Sequence, residues 1–286
     1  MLEQITPLIL TWNEASNIGR TLEQLRWARD IVVVDSFSDD ETVEIASSFP
    51  SVRVYRREFD SHQRQWSFAA RETAITTPWI LALDADYFLD EDFTAELNLL
   101  RPPPHVAGYS ARFLYCVNGK RLRSGIYPPV TVLYRREHAS YTQDGHTQKL
   151  RLSGTVGNLR SPILHDDRKP LSRWFQSQVR YTELEAKKLL AAEAGSLRWM
   201  DRIRRWRIIA PPAMLFHCLV LRGGVLDGWS GFYYAFQRAV AELMLSLYLL
   251  EHSAAGQAVI SKPEGQVGSF NPHDSTPKLK AESTKL

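Results

Sequence analysis

The first hundred residues alternate short apolar runs with helix-like patterns, and this alternation constrains the fold more than any other feature of the sequence. Ile5 to Thr11, Ile31 to Asp35, Val52 to Tyr55 and Trp79 to Asp84 are rich in β-branched or aliphatic residues. Three of the four are apolar nearly throughout, the pattern of strands buried on both faces. Between them lie helical spacings. Ile18, Leu22 and Leu25 recur at i, i+4 and i+7 behind Asn and Ser as candidate caps. Asp39, Asp40 and Glu41 are expected in the first turn of a second helix, where negative charge suits the dipole. Trp66, Ala69, Ala70 and Thr73 mark a third. Strand–helix–strand repetition predicts an α/β fold with a parallel sheet covered by helices on both sides.

The pattern changes after Pro102-Pro103-Pro104. Residues 106–160 read as short strands and loops, an antiparallel extension. A helix is expected from about Pro170 to Ala194, with Gly195 as its stop and Glu183–Lys187 as a favourable i,i+4 pair. Residues 198–207, RWMDRIRRWR, hold five arginines and one aspartate, a local charge of +4 against +3 for the whole chain. Residues 208–221 are apolar except for His217, too short a run to span a bilayer. Aromatics follow in LDGWSGFYYAF, and residues 232–250 have a helical pattern in which Arg238, Glu242 and Ser246 share a stripe. Basic and aromatic residues beside apolar helices suit a monotopic membrane anchor, with a helical subdomain with its own core, or a dimer interface, as the plainer reading. Ser253 to Leu286 is rich in Ser, Gly, Pro and Lys and is expected to be a disordered tail.

Composition adds exclusions. Two cysteines in 286 residues exclude a disulfide scaffold and point to a reducing compartment. A net charge of +3 is too small to suggest nucleic-acid binding. No secretory signal and no uninterrupted run of eighteen apolar residues is recognisable.

Ligands of open α/β sheets bind at the carboxyl ends of the strands. There the sequence places Thr11-Trp12-Asn13-Glu14, Asp35-Ser36 and Asp84-Ala85-Asp86. Carboxylates end three of the strands. Asp84 and Asp86, read as an extended pair on one side, would repel unless a cation separates them. A hard divalent ion such as Mg²⁺ or Mn²⁺ suits such oxygens together with substrate phosphates. The plainer reading of Asp35 is a cap for the turn that follows it. Neither a Gly-rich dinucleotide fingerprint nor a P-loop is present, and there is no serine nucleophile elbow.

Taken together, LTWNE (10–14), VVDSFSDDET (33–42), HQRQWSFAA (62–70) and LALDAD (81–86) resemble family 2 glycosyltransferases. ILHDDRKPLSRWFQSQVRY (163–181) and LRGGVLDGWSGFYYAF (221–236) are similar to the distal part of lipopolysaccharide core glucosyltransferases of the WaaE/KdtX type. The resemblance implies a GT-A fold, a Rossmann-like mixed sheet flanked by helices, as a catalytic domain over residues 1–197. A helical, membrane-associating region at 198–252 and the tail at 253–286 would follow. It implies a nucleotide-sugar donor, often UDP-glucose, with direct displacement inverting the anomeric centre. Thr11, Asn13 and Glu14 match the first nucleotide-binding stretch, and Asp35 the acidic residue on the uracil or ribose side. Arg64 matches a basic residue near the donor, Asp84 faces the ribose, and Asp86 holds the metal.

Displacement also needs a base on the acceptor side. Asp144 is preferred, with Asp166 and Asp167 as alternatives, and His165 rather than His146 is favoured as a ligand to the metal or diphosphate. Tyr87 stands where related sequences often have glutamate, and Gly145-His146-Thr147-Gln148 where they often read Val-His-Glu. The expected acceptor is a glycolipid or polysaccharide at the inner face of the cell membrane, reached by a cytoplasmic enzyme docked on anionic lipid through Arg202, Arg204, Arg205 and Arg207. Two competing readings are a nucleotide-sugar-binding module without turnover and a nucleotidyltransferase.

Overall fold

A computed structural model describes residues 1–144, 147–191, 204 and 208–260. Residues Met1–Leu250 form one compact unit and Glu251–Leu286 a second. The expected boundary near 197, Gly195, His146, most of the arginine cluster and the tail beyond 260 lie outside the described residues.

The alternating pattern becomes β1 (Ile5–Thr11), α1 (Ile18–Glu23), β2 (Ile31–Asp35), α2 (Thr42–Ser47), β3 (Val52–Arg56), α3 (His62–Arg71) and β4 (Trp79–Asp84). Then come β5 (Tyr87–Phe88), α4 (Glu91–Leu99), β6 (Val106–Ala111), β7 (Phe113–Val117), β8 (Lys120–Arg121) and β9 (Val130–Arg135). The chain continues through β10 (Ala139–Asp144), β11 (Thr147–Leu152), β12 (Thr155–Asn158), β13 (Ile163–His165) and α5 (Leu171–Ala191). Among the described residues the last helices are α6 (Ala210–Phe216), continued by a π-helical turn His217–Leu221, and α7 (Trp229–Ile260).

The main sheet runs β12-β6-β9-β4-β1-β2-β3. β1 pairs in parallel with both β2 and β4, while β9 enters antiparallel between β4 and β6, so the sheet is mixed. Alternate side chains fill two cores. Ile9, Val33, Leu81 and Leu83 meet Ile18 and Leu22 of α1 and Phe93 and Leu97 of α4. Leu8, Val32, Val34 and Ile80 meet Trp66, Ala69 and Ala70 of α3 on the other face. Burial on both faces explains why these strands are uniformly apolar.

Several local expectations change. Asp39, Asp40 and Glu41 precede α2 rather than occupy its first turn; Asp40 accepts from the Thr42 amide at 3.0 Å and so ties down the entry to the helix. Pro170 lies just ahead of α5, its carbonyl accepting from the Arg173 amide at 2.9 Å. The stripe of α7 turns inward: Glu242 and Ser246 are buried, and Arg204 and Arg238 approach Glu242 at 3.0 and 3.9 Å. The outer face of α7 is left to Phe236, Leu243, Leu247 and Leu250. Among the described residues no helix is long and apolar enough to cross a membrane.

Phe93 is wholly buried between α4 and the sheet. Phe93→Ala should lower stability by about 3–5 kcal/mol without changing the far-ultraviolet dichroism of the folded protein, as read from chemical denaturation.

Candidate active site

The chain leaves β1, builds β2 and β3 on one side, and returns to β4 on the other side of β1. The crevice at such a reversal is where open sheets bind ligands. The registers Thr11↔Asp35 and Leu10↔Asp84 place three strand ends along that edge.

On the β1–β2 side, Asp35 is fully buried. Its carboxylate accepts from the Thr11 hydroxyl at 3.2 Å, the Ser38 amide at 2.9 Å and the Ser38 hydroxyl. Its first job is therefore the capping one, holding the turn after β2. Asn13 sits with φ of 57°, a left-handed backbone that asparagine tolerates. Its amide donates to Ser38 at 2.8 Å, and its side-chain oxygen accepts from the Asp39 amide at 2.9 Å, which locks the two strand ends together. Two aromatic rings remain open to solvent on this rim, Trp12 at 47% and Phe37 at 55% exposure. Arg173 lies 5.7 Å from the Trp12 ring and Arg56 5.4 Å from the Phe37 ring. Arg56 also comes within 3.7 Å of Asp35. Arg64 is placed elsewhere: it is exposed in the first turn of α3 and paired with Asp60 at 3.4 Å.

At the β4 end, Asp84 is the last strand residue, and Ala85-Asp86 form a turn into β5. A turn, rather than strand alternation, thus places the two carboxylates. The Thr21 hydroxyl braces it, 2.6 Å from the Ala85 carbonyl and 2.9 Å from that of Tyr87. β13 inserts between β5 and β7 and delivers His165 to Asp86, Nε2 to Oδ2 at 3.0 Å. Tyr87, Tyr115 and Tyr127 surround the imidazole edge-on, with centroids 5.5, 4.9 and 5.1 Å away.

Asp84 reaches solvent at the end of β4 yet is crowded on its other sides. That enclosure, and then the charge of Asp86, raise its carboxyl to about 6. Burial would do the same to Asp86, but His165 and then Lys169 outweigh it and hold Asp86 at about 2. Burial opposes the charge of His165, and Asp86 reverses the balance, so its pKa is raised.

Lys169 was not anticipated from the sequence. Its ammonium reaches Glu14 at 2.5 Å and Asp167 at 3.7 Å. Burial, then Asp86, raise Glu14 to about 7 against the opposing pull of Lys169. Burial works against the lysine charge as well, but Glu14, Asp86 and Asp167 prevail and its pKa is raised. Asn17 completes the hub. Its amide nitrogen donates to Glu14 at 2.8 Å and to Asp167 at 3.0 Å, and its oxygen accepts from Arg20 and from the Arg168 amide, each at 2.9 Å. Asp166 is committed to structure, accepting from Arg20, Arg168 and the Gly119 amide. The only sequence signal for Lys169 was its place in HDDRKP, where acidic neighbours demand a cation.

Asp144 ends β10, whose hairpin with β11 pairs Asp144 with Thr147. Its side chain lies outside the described set.

A divalent ion can be tested against these residues. Asp86 Oδ1 and His165 Nδ1 are both buried without a hydrogen-bond partner. Asp84 offers a second carboxylate two residues from Asp86. Among the described residues no group of three or more His, Cys, Asp or Glu side chains is arranged to hold a metal unaided. The donors therefore fit a hard ion completed by phosphate oxygens and water, not a closed protein cage.

Residues 8–156 match the model of glycosyl transferase family 2. The chain belongs to this family. The expected glycosyltransferase class holds with it, as does the mixed α/β architecture. The lipopolysaccharide core biosynthesis glycosyltransferase LpsC of Rhizobium meliloti is 26% identical over 267 residues, covering 87% of this chain and 93% of that protein. An uncharacterised glycosyltransferase of Rickettsia bellii is 31% identical over 147 residues, 49% of each chain, so the match spans about half of that relative's length. Among solved structures, the mannosyltransferase PcManGT of Pyrobaculum calidifontis, in complex with GDP-Man and Mn²⁺, is 16% identical with a TM-score of 0.46. That likeness covers 92% of this chain and 82% of the other.

Lys169→Met removes the cation shared by Glu14 and Asp167. It should cost roughly 2–3 kcal/mol, less than a wholly buried pair, because Lys169 keeps 19% of its side chain in solvent. Glu14 would then be raised further above its unfolded value. A carboxyl raised on folding stabilises below its unfolded pKa and loses that contribution as pH rises through the folded one. The variant's melting temperature should therefore fall between about pH 5 and pH 8 more steeply than that of wild type, as read by scanning calorimetry.

Proposed function

We propose that the chain is an inverting glycosyltransferase that moves a sugar, glucose from UDP-glucose on the motif reading, to a lipid-linked or cell-envelope glycan acceptor. The observation that carries this is Asp86, buried at the switch-point edge with one oxygen on His165 and the other unpartnered. Asp86 and His165 would hold Mg²⁺ or Mn²⁺, and Asp84 would face the ribose. When bound, the ion supplies neutralisation of the charge that develops on the departing diphosphate.

The chain's own residues provide the rest. Thr11, Asn13 and Asp35 shape the nucleoside end of the crevice. Trp12 and Phe37 offer flat apolar surfaces to the base, and Arg56 and Arg173 add positive charge beside them. Glu14 and Lys169 hold the β1 end against the segment that carries His165. Lys169 also brings a positive charge near Asp86, useful where a diphosphate must sit among carboxylates. Arg64, drawn off by Asp60, has a smaller part in this reading than Arg56. Asp144, at the end of the β10–β11 hairpin, remains our choice for the base that takes the acceptor proton. Asp166 is set aside because its oxygens are engaged. The name of the Rhizobium relative supports an acceptor of the lipopolysaccharide core type.

The test is nucleotide release from a panel of UDP- and GDP-sugars, with and without Mn²⁺ or Mg²⁺. UDP should be released from one donor only with metal, and Asp86→Ala should reduce the rate at least about a hundredfold. Release that persists without metal, or in Asp86→Ala, would overturn the assignment. Asp144→Asn should abolish transfer to acceptor while leaving donor affinity within about twofold, since a base touches the acceptor side.

A further inference from the structure

We propose that the turn between α6 and α7 is a preformed wedge that seats the protein on an anionic lipid surface. The proposal builds on the lipid-linked acceptor suggested above but rests on its own observations.

Within ten residues the chain presents Val220, Leu221, Val225, Leu226 and Trp229 to solvent, Leu226 at 73% and Trp229 at 88% exposure. Hydrophobes grouped this way on a monomer mark an interaction site. They are held out by a rigid base. Asp227 is buried, and its carboxylate accepts from the amides of Arg123 and Ser124, each at 3.0 Å, and from the Ser124 hydroxyl at 2.8 Å. Gly228 takes φ of 63°, and a Cβ on Gly231 would lie 2.0 Å from the Gly224 carbonyl. Asp227 and these glycines fix the turn from inside while its apolar side chains point outward. The glycine-rich LRGGVLDGWSG stretch is accounted for by this packing.

The surrounding charge selects the partner. Lys120, Arg123 and Arg222 are exposed beside the turn, Lys120 donating to the Asp227 carbonyl at 2.7 Å and Arg222 to the Gly125 carbonyl at 2.8 Å. Asp227, the acidic residue of the turn itself, is buried under it. An apolar, tryptophan-bearing centre with a cationic rim matches the boundary of an anionic bilayer, where aromatic rings sit at headgroup depth and each Lys or Arg adds attraction. The surface is also close to the chemistry. Tyr234 of α7 packs 4.6 Å from Tyr115, whose ring is 4.9 Å from His165. A lipid-linked acceptor held at the membrane would thus approach from the side of α7.

Of the arginine cluster expected to dock on lipid, Arg204 is the member described. Arg204 turns inward to Glu242 and Glu185 and does not face lipid. Arg202, Arg205 and Arg207 lie outside the described residues.

The full chain should be floated with vesicles of phosphatidylcholine alone and with about 30% phosphatidylglycerol. Binding is expected to the anionic vesicles and should weaken with salt. Leu226→Ser with Trp229→Ser should weaken it at least about tenfold, and Arg123→Glu, or Arg222→Glu, about fivefold or more. The Leu226/Trp229 pair and Arg123→Glu should keep the wild-type unfolding midpoint, and all the variants wild-type donor hydrolysis. Asp86→Ala should float like wild type, so loss of catalysis and loss of docking are separate results. Failure of wild type to bind, or binding indifferent to these changes, overturns the proposal. A concentration-dependent dimer abolished by the Leu226/Trp229 pair, with no flotation, would instead assign the face to a second copy of the chain.

Discussion

Repulsion among carboxylates governs the heart of this molecule. Glu14, Asp84, Asp86 and Asp167 converge where two strands end and a third segment crosses them. Like charges so placed resist ionising together unless cations stand among them. His165 and Lys169 meet that need, one on Asp86 and the other between Glu14 and Asp167. Both come from the β13–α5 stretch, more than eighty residues after β4 in sequence. The electrostatic demand of the first half is therefore met by the second, and the pairing holds the small sheet β5-β13-β7-β8 to the main one.

The same arrangement leaves a deliberate incompleteness. Asp86 keeps one oxygen unpartnered, and Asp84 and Glu14 sit near neutrality in pKa terms. Groups of this kind respond strongly to an arriving cation or to phosphate. By contrast, Asp35, Asn13, Ser38 and Asn17 have their hydrogen bonds satisfied and serve as a stiff frame. Stiffness beside an unsatisfied centre is what preorganised charge stabilisation requires.

Beyond the catalytic region α7 differs from an ordinary surface helix in being apolar on both sides. Its charged stripe is buried with Arg204 and Glu185, Leu245 and Leu249 pack inward against Ala186 and Leu189, and Leu243, Leu247 and Leu250 face out. Together with the turn at Val225 to Trp229, this gives the second half of the chain an outward apolar aspect that coexists with the absence of any spanning helix among the described residues.

How much of this was legible in the sequence follows from the range of the forces involved. β1, β2 and β4 were readable to the residue, because strands buried on both faces must be apolar and must end where polar groups begin. The acidic strand ends and the long helix after Pro170 were legible for the same local reasons, and the glycosyltransferase motifs through their resemblance to a known family. The turn at Ala85-Asp86 was not, since an Asp-x-Asp spacing is compatible with strand or turn and the brace from Thr21 is remote. Nor was the inward stripe of Arg238, Glu242 and Ser246: periodicity marks a stripe but does not say which side the protein lies on. Lys169 and Arg56 emerged only when distant segments met. The sequence by itself determined which segments are strands and where carboxylates gather, because hydrophobic burial and backbone preference act locally. Only the tertiary structure decided which cation answers which carboxylate and which apolar face stays uncovered, because charge pairing and packing depend on neighbours that the chain brings from far away.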